Sequence, residues 1–93
     1  MKRIYSIDTL AYREGVLPQT TKELLGLTAS LVLRCDDCIA WHVHQCFELK
    51  ISTEELVEAL GIGMVVGGTI TVPHVRRAMT LWESMKKGDP GDS

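Results

Sequence analysis

The sequence predicts an all-α fold of about five helices, on three observations. Apolar residues return at helical intervals in successive windows. Two Ser/Thr-x-x-Glu patterns, Thr20 to Glu23 and Ser52 to Glu55, stand where helices would begin. No segment alternates apolar and polar residues with a period of two. Val65, Val66, Ile70 and Val72 favour strands, but they flank Gly67-Gly68 between helical windows. At 93 residues the chain is sized for one domain, assigned to residues 1–86, followed by a flexible polar tail at 87–93.

Each element follows from local chemistry. Residues 1–17 carry a short amphipathic stretch, with Ile7, Leu10, Ala11 and Val16 toward one side, and Gly15 and Pro18 punctuate it. A second helix is expected from Thr20, where Thr20-Thr21-Lys22-Glu23 has the form of a capping box. It continues through Leu24, Leu27, Ala29, Leu31 and Val32. A break near Arg34 to Asp36 precedes a third helix, Asp36 to Lys50. Ser52-Thr53-Glu54-Glu55 opens a fourth, through Leu56, Val57, Leu60 and Met64, which Gly67-Gly68 ends or kinks. Pro73 suits the first turn of a last helix, on which Val75, Ala78, Met79, Trp82 and Met85 form an apolar stripe.

Composition excludes several functions. Ten Lys plus Arg against twelve Asp plus Glu leave a net charge of -2, which argues against a dedicated nucleic-acid surface or a polybasic membrane patch. Asp8, Arg13 and Glu14 interrupt any signal-peptide apolar core. The longest uncharged run, Ala59 to Pro73, is shorter than the about 20 apolar residues of a membrane span. The expectation is a cytoplasmic protein with no nucleic-acid or membrane partner. An apolar content of 45% in so short a chain predicts surplus apolar surface, buried against further copies in a homo-oligomer.

The chemistry concentrates in Cys35-Asp36-Asp37-Cys38-Ile39-Ala40-Trp41-His42-Val43-His44-Gln45-Cys46, which holds every cysteine and two of the three histidines. On a helix at about 100° per residue, Cys35, Cys38, His42 and Cys46 share one face and His44 lies opposite. Thiols at i and i+3 can close a disulfide when the first lies at the helix start, where the dipole also favours thiolate. An imidazole one turn after Cys38 can take or return a thiol proton. In a cytosolic chain this pattern points to redox chemistry. Which cysteine attacks stays open: the dipole favours Cys35, proximity to His42 favours Cys38. Cys46 reads as a small buried hydrophobe. A zinc site from Cys35, Cys38, His42 and Cys46 is the competing reading, although one helix surrounds a tetrahedral ion poorly.

Glu23, Cys35, Cys38 and His42 together form the pattern E-x11-C-x2-C-x3-H. In this the sequence resembles the AhpD-like (alkylhydroperoxidase) branch of the carboxymuconolactone decarboxylase family. The likeness takes in the core from Leu31 to His42, the segment Glu54 to Leu60 and the Gly67-Gly68 pair. It implies an all-helical fold assembled as trimers or hexamers. It also implies a thiol-dependent peroxidase or disulfide oxidoreductase without cofactor or metal, acting on hydroperoxides or on a partner protein's disulfide and re-reduced by a thiol or dithiol donor. By the same likeness Cys38 is the peroxidatic thiol, Cys35 resolves it, and His42 with Glu23 forms the proton relay. Some relatives carry a histidine immediately before the second cysteine, where this chain has Asp37, a carboxylate that disfavours a neighbouring thiolate. A lactone decarboxylase, the remaining alternative, would survive loss of both Cys35 and Cys38.

Plainer roles stand beside these. Glu23, as fourth residue of Thr20-x-x-Glu23, could cap its own helix. His74, after Pro73, faces either solvent or the same cavity. Trp41 and Trp82 read as core or subunit-interface residues, and Arg76, Arg77, Lys86 and Lys87 as solvated faces.

Overall fold

In a computed structural model, residues 9–88 are described, and among them there are helices and no strand. The order is α1, described over residues 9–12; α2, Gln19–Leu33; α3, Asp36–Glu48; α4, Thr53–Gly67; a single 3-10 turn, Thr69–Thr71; and α5, Val72–Gly88. The expected five-helix, all-α architecture is therefore present. Ile7 lies outside the described residues, as does the chain beyond Gly88. α5 runs through residues 87 and 88, where the sequence placed the start of the tail.

One helix start differs from expectation. α2 begins at Gln19 with Pro18 as its N-cap and no side-chain cap bond, so the Thr20 capping box does not form. Proline fixes φ near the helical value and already lacks the N–H that a helix start leaves unpaired, so the helix begins one residue early and Thr20 falls inside its first turn. The second box is complete: Glu55 N–H donates to Ser52 Oγ at 3.1 Å and Ser52 N–H donates to Glu55 Oε1 at 2.9 Å. These bonds hold the Glu55 carboxyl below the usual carboxylate range.

Two left-handed residues set the corners. Arg34 (φ 58°) ends α2, its N–H donating to Leu31 O at 2.9 Å while Cys35 N–H donates to Ser30 O at 3.2 Å. α3 ends at Glu48 with Leu49 as its C-cap, two residues short of the expected boundary, and Lys50 (φ 62°) turns the chain that follows. Gly68 (φ 87°) ends α4, a conformation that disfavours any residue with a Cβ.

α2 lies between α3 and α4, and α5 closes the far side of α3. The core is Leu27 and Leu31 from α2; Ile39, Val43 and Cys46 from α3; Ile51; Leu56 and Leu60 from α4; and Ala78 and Trp82 from α5. The α5 stripe packs as expected, with Val75, Met79 and Met85 partly buried around Ala78 and Trp82. Trp82 meets the edge of Phe47 at 5.7 Å, and its Nε1–H donates to Thr53 Oγ1 at 2.9 Å. Its apolar body is thus desolvated without stranding its one donor. Trp41, by contrast, is half exposed. Among the described residues no helix is long and apolar enough to cross a membrane.

Candidate functional site

The corner at Arg34 decides where the cysteines go. Because the chain leaves α2 there, Cys35 falls just before α3 as its N-cap, in extended conformation. Its sulfur takes the place of the usual Ser or Asp cap oxygen and accepts the Cys38 N–H at 3.4 Å. Cys38, in the first turn, brings its Sγ to 2.7 Å from that of Cys35. Both are free thiols, Cys38 exposed and Cys35 partly so.

His42 follows Cys38 by one turn on the same face, but where Cys38 reaches the surface His42 points inward and is 7% exposed. It meets α2, whose Glu23 is 3% exposed and places Oε1 at 2.8 Å from His42 Nδ1. A buried carboxylate is costly without partners, so this pairing accounts for an acid inside an otherwise apolar helix face. It also excludes one of the two roles open to Glu23, the cap of its own helix. With Pro18 at the N-cap, Glu23 is turned into the interior toward the imidazole. The carboxylate accepts a hydrogen bond from Nδ1–H, which turns Nε2 to the other side, where the Tyr12 hydroxyl lies 3.5 Å away.

The remaining titratable residues of the motif separate from this group. His44 is exposed on the opposite side of α3. Cys46 is 0% exposed in the core, and its thiol is pushed up to about 12, chiefly by burial and further by the negative charges of Glu23 and Glu55. It behaves as the small hydrophobe expected. The four ligands of the zinc reading are not gathered, since Cys46 lies in the core two turns or more beyond the thiol pair. Among the described residues no three His, Cys, Asp or Glu side chains converge as a metal site.

Several contributors escape the sequence. His74 is neither solvent-facing nor part of the buried pair: its Nδ1 lies 2.7 Å from Asp36 Oδ1, and Arg77 reaches Asp36 Oδ2 at 3.1 Å. The His74 bond first, with Arg77 adding to it, holds the Asp36 carboxyl below its ordinary range. This clamp ties α5 to the residue next to Cys35. Tyr12, from α1, packs on His42 with ring centroids 5.3 Å apart. Gly26 faces the same ring, and a Cβ there would stand 2.6 Å from His42 Cε1 and also collide with the Tyr12 hydroxyl. A glycine in a helix interior that otherwise favours helix formers was the one signal available for it.

The sequence model of the carboxymuconolactone decarboxylase family matches residues 1–81. Among solved structures, the chain is similar to a family protein of Thermotoga maritima suggested to be involved in antioxidative response. The two are 50% identical, with a TM-score of 0.89, over 92% of this chain and 89% of that one. A Legionella pneumophila protein of the same family, solved in its apo form, is 28% identical with a TM-score of 0.85, over 90% of this chain and 75% of that one. An uncharacterized protein of Cupriavidus necator is 26% identical over 85 residues, 91% of this chain and 75% of its own length.

Proposed function

The chain belongs to the carboxymuconolactone decarboxylase family, and from that premise we propose that it is a thiol-dependent peroxidase of AhpD-like type. The observation that carries the reading is the pairing of two groups within one helical turn of each other. One is a dithiol with its sulfurs 2.7 Å apart, and the other is a buried carboxylate–imidazole couple at 2.8 Å. A peroxidase of this kind needs an attacking thiol, a resolving thiol and a proton carrier, and each has a residue here.

His42, its ring oriented by Glu23, takes the Cys38 thiol proton. The thiolate attacks the terminal oxygen of a hydroperoxide, the O–O bond breaks, and the alkoxide leaves with the proton returned by His42, giving an alcohol and Cys38 sulfenic acid. The Cys35 thiol then attacks that sulfur; an S–S bond forms, the S–O bond breaks and water leaves. A dithiol donor reduces the disulfide by exchange and is itself oxidised. Net, one hydroperoxide and one dithiol become one alcohol, one water and one disulfide. The position of Cys38, one turn from His42 and more exposed than Cys35, favours it as the attacking sulfur. The antioxidative role suggested for the Thermotoga maritima protein is consistent with this chemistry.

The test is peroxide consumption with a dithiol reductant, wild type against Cys38→Ser. Turnover that falls to the uncatalysed rate in the variant supports the reading. Equal rates end it.

A further inference from the structure

Glu23 occupies Nδ1 of His42, and the steps above leave the surroundings of the other nitrogen unassigned. Nε2 faces the hydroxyl of Tyr12, 3.5 Å away, at the limit of hydrogen-bond reach and within the looseness usual for a catalytic contact without substrate. The two rings are tilted by 47° with their centroids 5.3 Å apart, so the phenol lies against the imidazole as well as addressing its edge.

Two further features hold Tyr12 there, and neither belongs to the apolar core. Lys22, the neighbour of Glu23, donates through Nζ to the carbonyls of Ala11 at 2.9 Å and Arg13 at 2.8 Å. One ammonium thus straps the backbone on both sides of Tyr12 onto α2. Gly26, one turn further along α2, leaves the space that the phenol hydroxyl and the imidazole share. The segment is otherwise outward-facing: Leu10, Ala11 and Arg13 are exposed, and Tyr12 alone turns partly in.

We propose that Tyr12 is the third member of the relay, a positioning residue that locks the His42 ring and presents a hydroxyl to Nε2. The inference rests on the reading of His42 as the proton carrier of the thiol chemistry. A phenol suits the place because it serves both protonation states. It donates O–H to the Nε2 lone pair of the neutral ring, and its oxygen accepts from Nε2–H once His42 has taken a proton. Glu23 then holds Nδ1 throughout, while the Tyr12 hydroxyl rotates off the Nε2 lone pair as the Cys38 proton arrives and accepts from Nε2–H afterwards, and the segment before α2 becomes part of the site.

The test is the pH-dependent alkylation rate of Cys38, resolved from the other cysteines by mass mapping, in wild type, Y12F, K22M and H42A. Loss of one hydrogen bond of this kind corresponds to about a three- to ten-fold effect. Y12F is expected to slow Cys38 by that factor near neutral pH and to move the midpoint of the profile. K22M, which keeps the hydroxyl but loosens its carrier, moves the same way by less. Phenylalanine keeps the ring contact, so a role in packing alone would leave Y12F indistinguishable from wild type. That result beside a slow H42A overturns the assignment of Tyr12. Wild-type rates in H42A instead remove the relay reading on which it stands.

Discussion

The Glu23–His42 couple concentrates the consequences of single residues. Both side chains are buried and each is the other's close partner, so their removal is unequal in effect. His42→Ala deletes the proposed proton carrier and should slow Cys38 chemistry by about 10²–10⁴-fold, the usual range for a positioned acid–base group. Glu23→Gln keeps the shape of the contact but not its charge and should cost less. His44→Ala, exposed on the far side of α3, should match wild type. Peroxide turnover of the three variants gives the ordering, and a His44 variant worse than the His42 variant would place the site on the wrong face of α3.

Cys46 supplies a residue-scale prediction in pH. Its thiol is held up near 12 in the fold, above the roughly 8.5 of a free cysteine. The folded state therefore keeps its proton where the unfolded chain has lost it. The corresponding stability is present below about pH 8.5 and drains away as pH rises from there through about 12. Urea unfolding at pH 8 and pH 10.5 should show a larger loss for wild type than for Cys46→Ala; equal losses would contradict it. The same burial predicts that mild oxidation joins Cys35 to Cys38 and leaves Cys46 a free thiol, which mass mapping reads directly.

At the scale of elements, the α2–α3 corner and α5 together place the thiols. Arg34 accepts a left-handed conformation that costs a non-glycine residue about 1 kcal/mol, and in return the chain reverses within a single residue. The reversal sets Cys35 at the N-cap, and the Asp36 clamp from His74 and Arg77 then fixes that end of α3. The clamp has a pH signature. A carboxyl held below its ordinary range stabilises the fold above about pH 3.9, and that contribution disappears as pH falls through the lower folded-state value. His74→Ala should therefore be less stable than wild type near pH 5, with the gap closing toward pH 2.5. Thermal melts of the two proteins across that range decide it; a gap that widens in acid would mean the clamp is not what stabilises this corner.

At the scale of the molecule, apolar surface remains that the single chain does not cover. Val57, Ile62, Val65, Val66 and Ile70 are all exposed along α4 and the turn after it. Beside them a largely apolar groove of about 660 Å³ is lined by Leu24, Ala59, Ile62, Met64 and Val65, with Glu55 and Glu58 also in its wall. Half of the large exposed hydrophobic residues among those described fall on α4 and the turn after it, a local excess that suits an association surface. The expected occupant is a second copy of this chain, as the short, apolar-rich sequence already implied. Light scattering at micromolar concentration should give a mass well above 10.3 kDa, and Val65→Asp, 83% exposed in the single chain, should lower it without loss of helix content. A wild-type monomer would contradict this.

Much of this architecture was legible in the sequence because it is local. Helix spacing, the Ser52 capping box, the Gly67-Gly68 stop and the face shared by Cys38 and His42 all depend on neighbours within a turn or two, whose geometry the backbone alone dictates. The pattern E-x11-C-x2-C-x3-H marked Glu23, Cys35, Cys38 and His42 as candidates, yet spacing alone left open whether Glu23 caps its own helix or faces the neighbouring one. That choice belonged to the tertiary structure: Pro18 took the N-cap, and the packing of α2 on α3 carried the carboxylate to the imidazole. Tyr12, Lys22, Gly26, His74 and Arg77 were not legible for the same reason, since each meets its partner across a gap in sequence or across helices. A single sequence encodes which faces are apolar and where helices stop; which polar groups meet is settled only when those faces close on one another and buried charges must find partners.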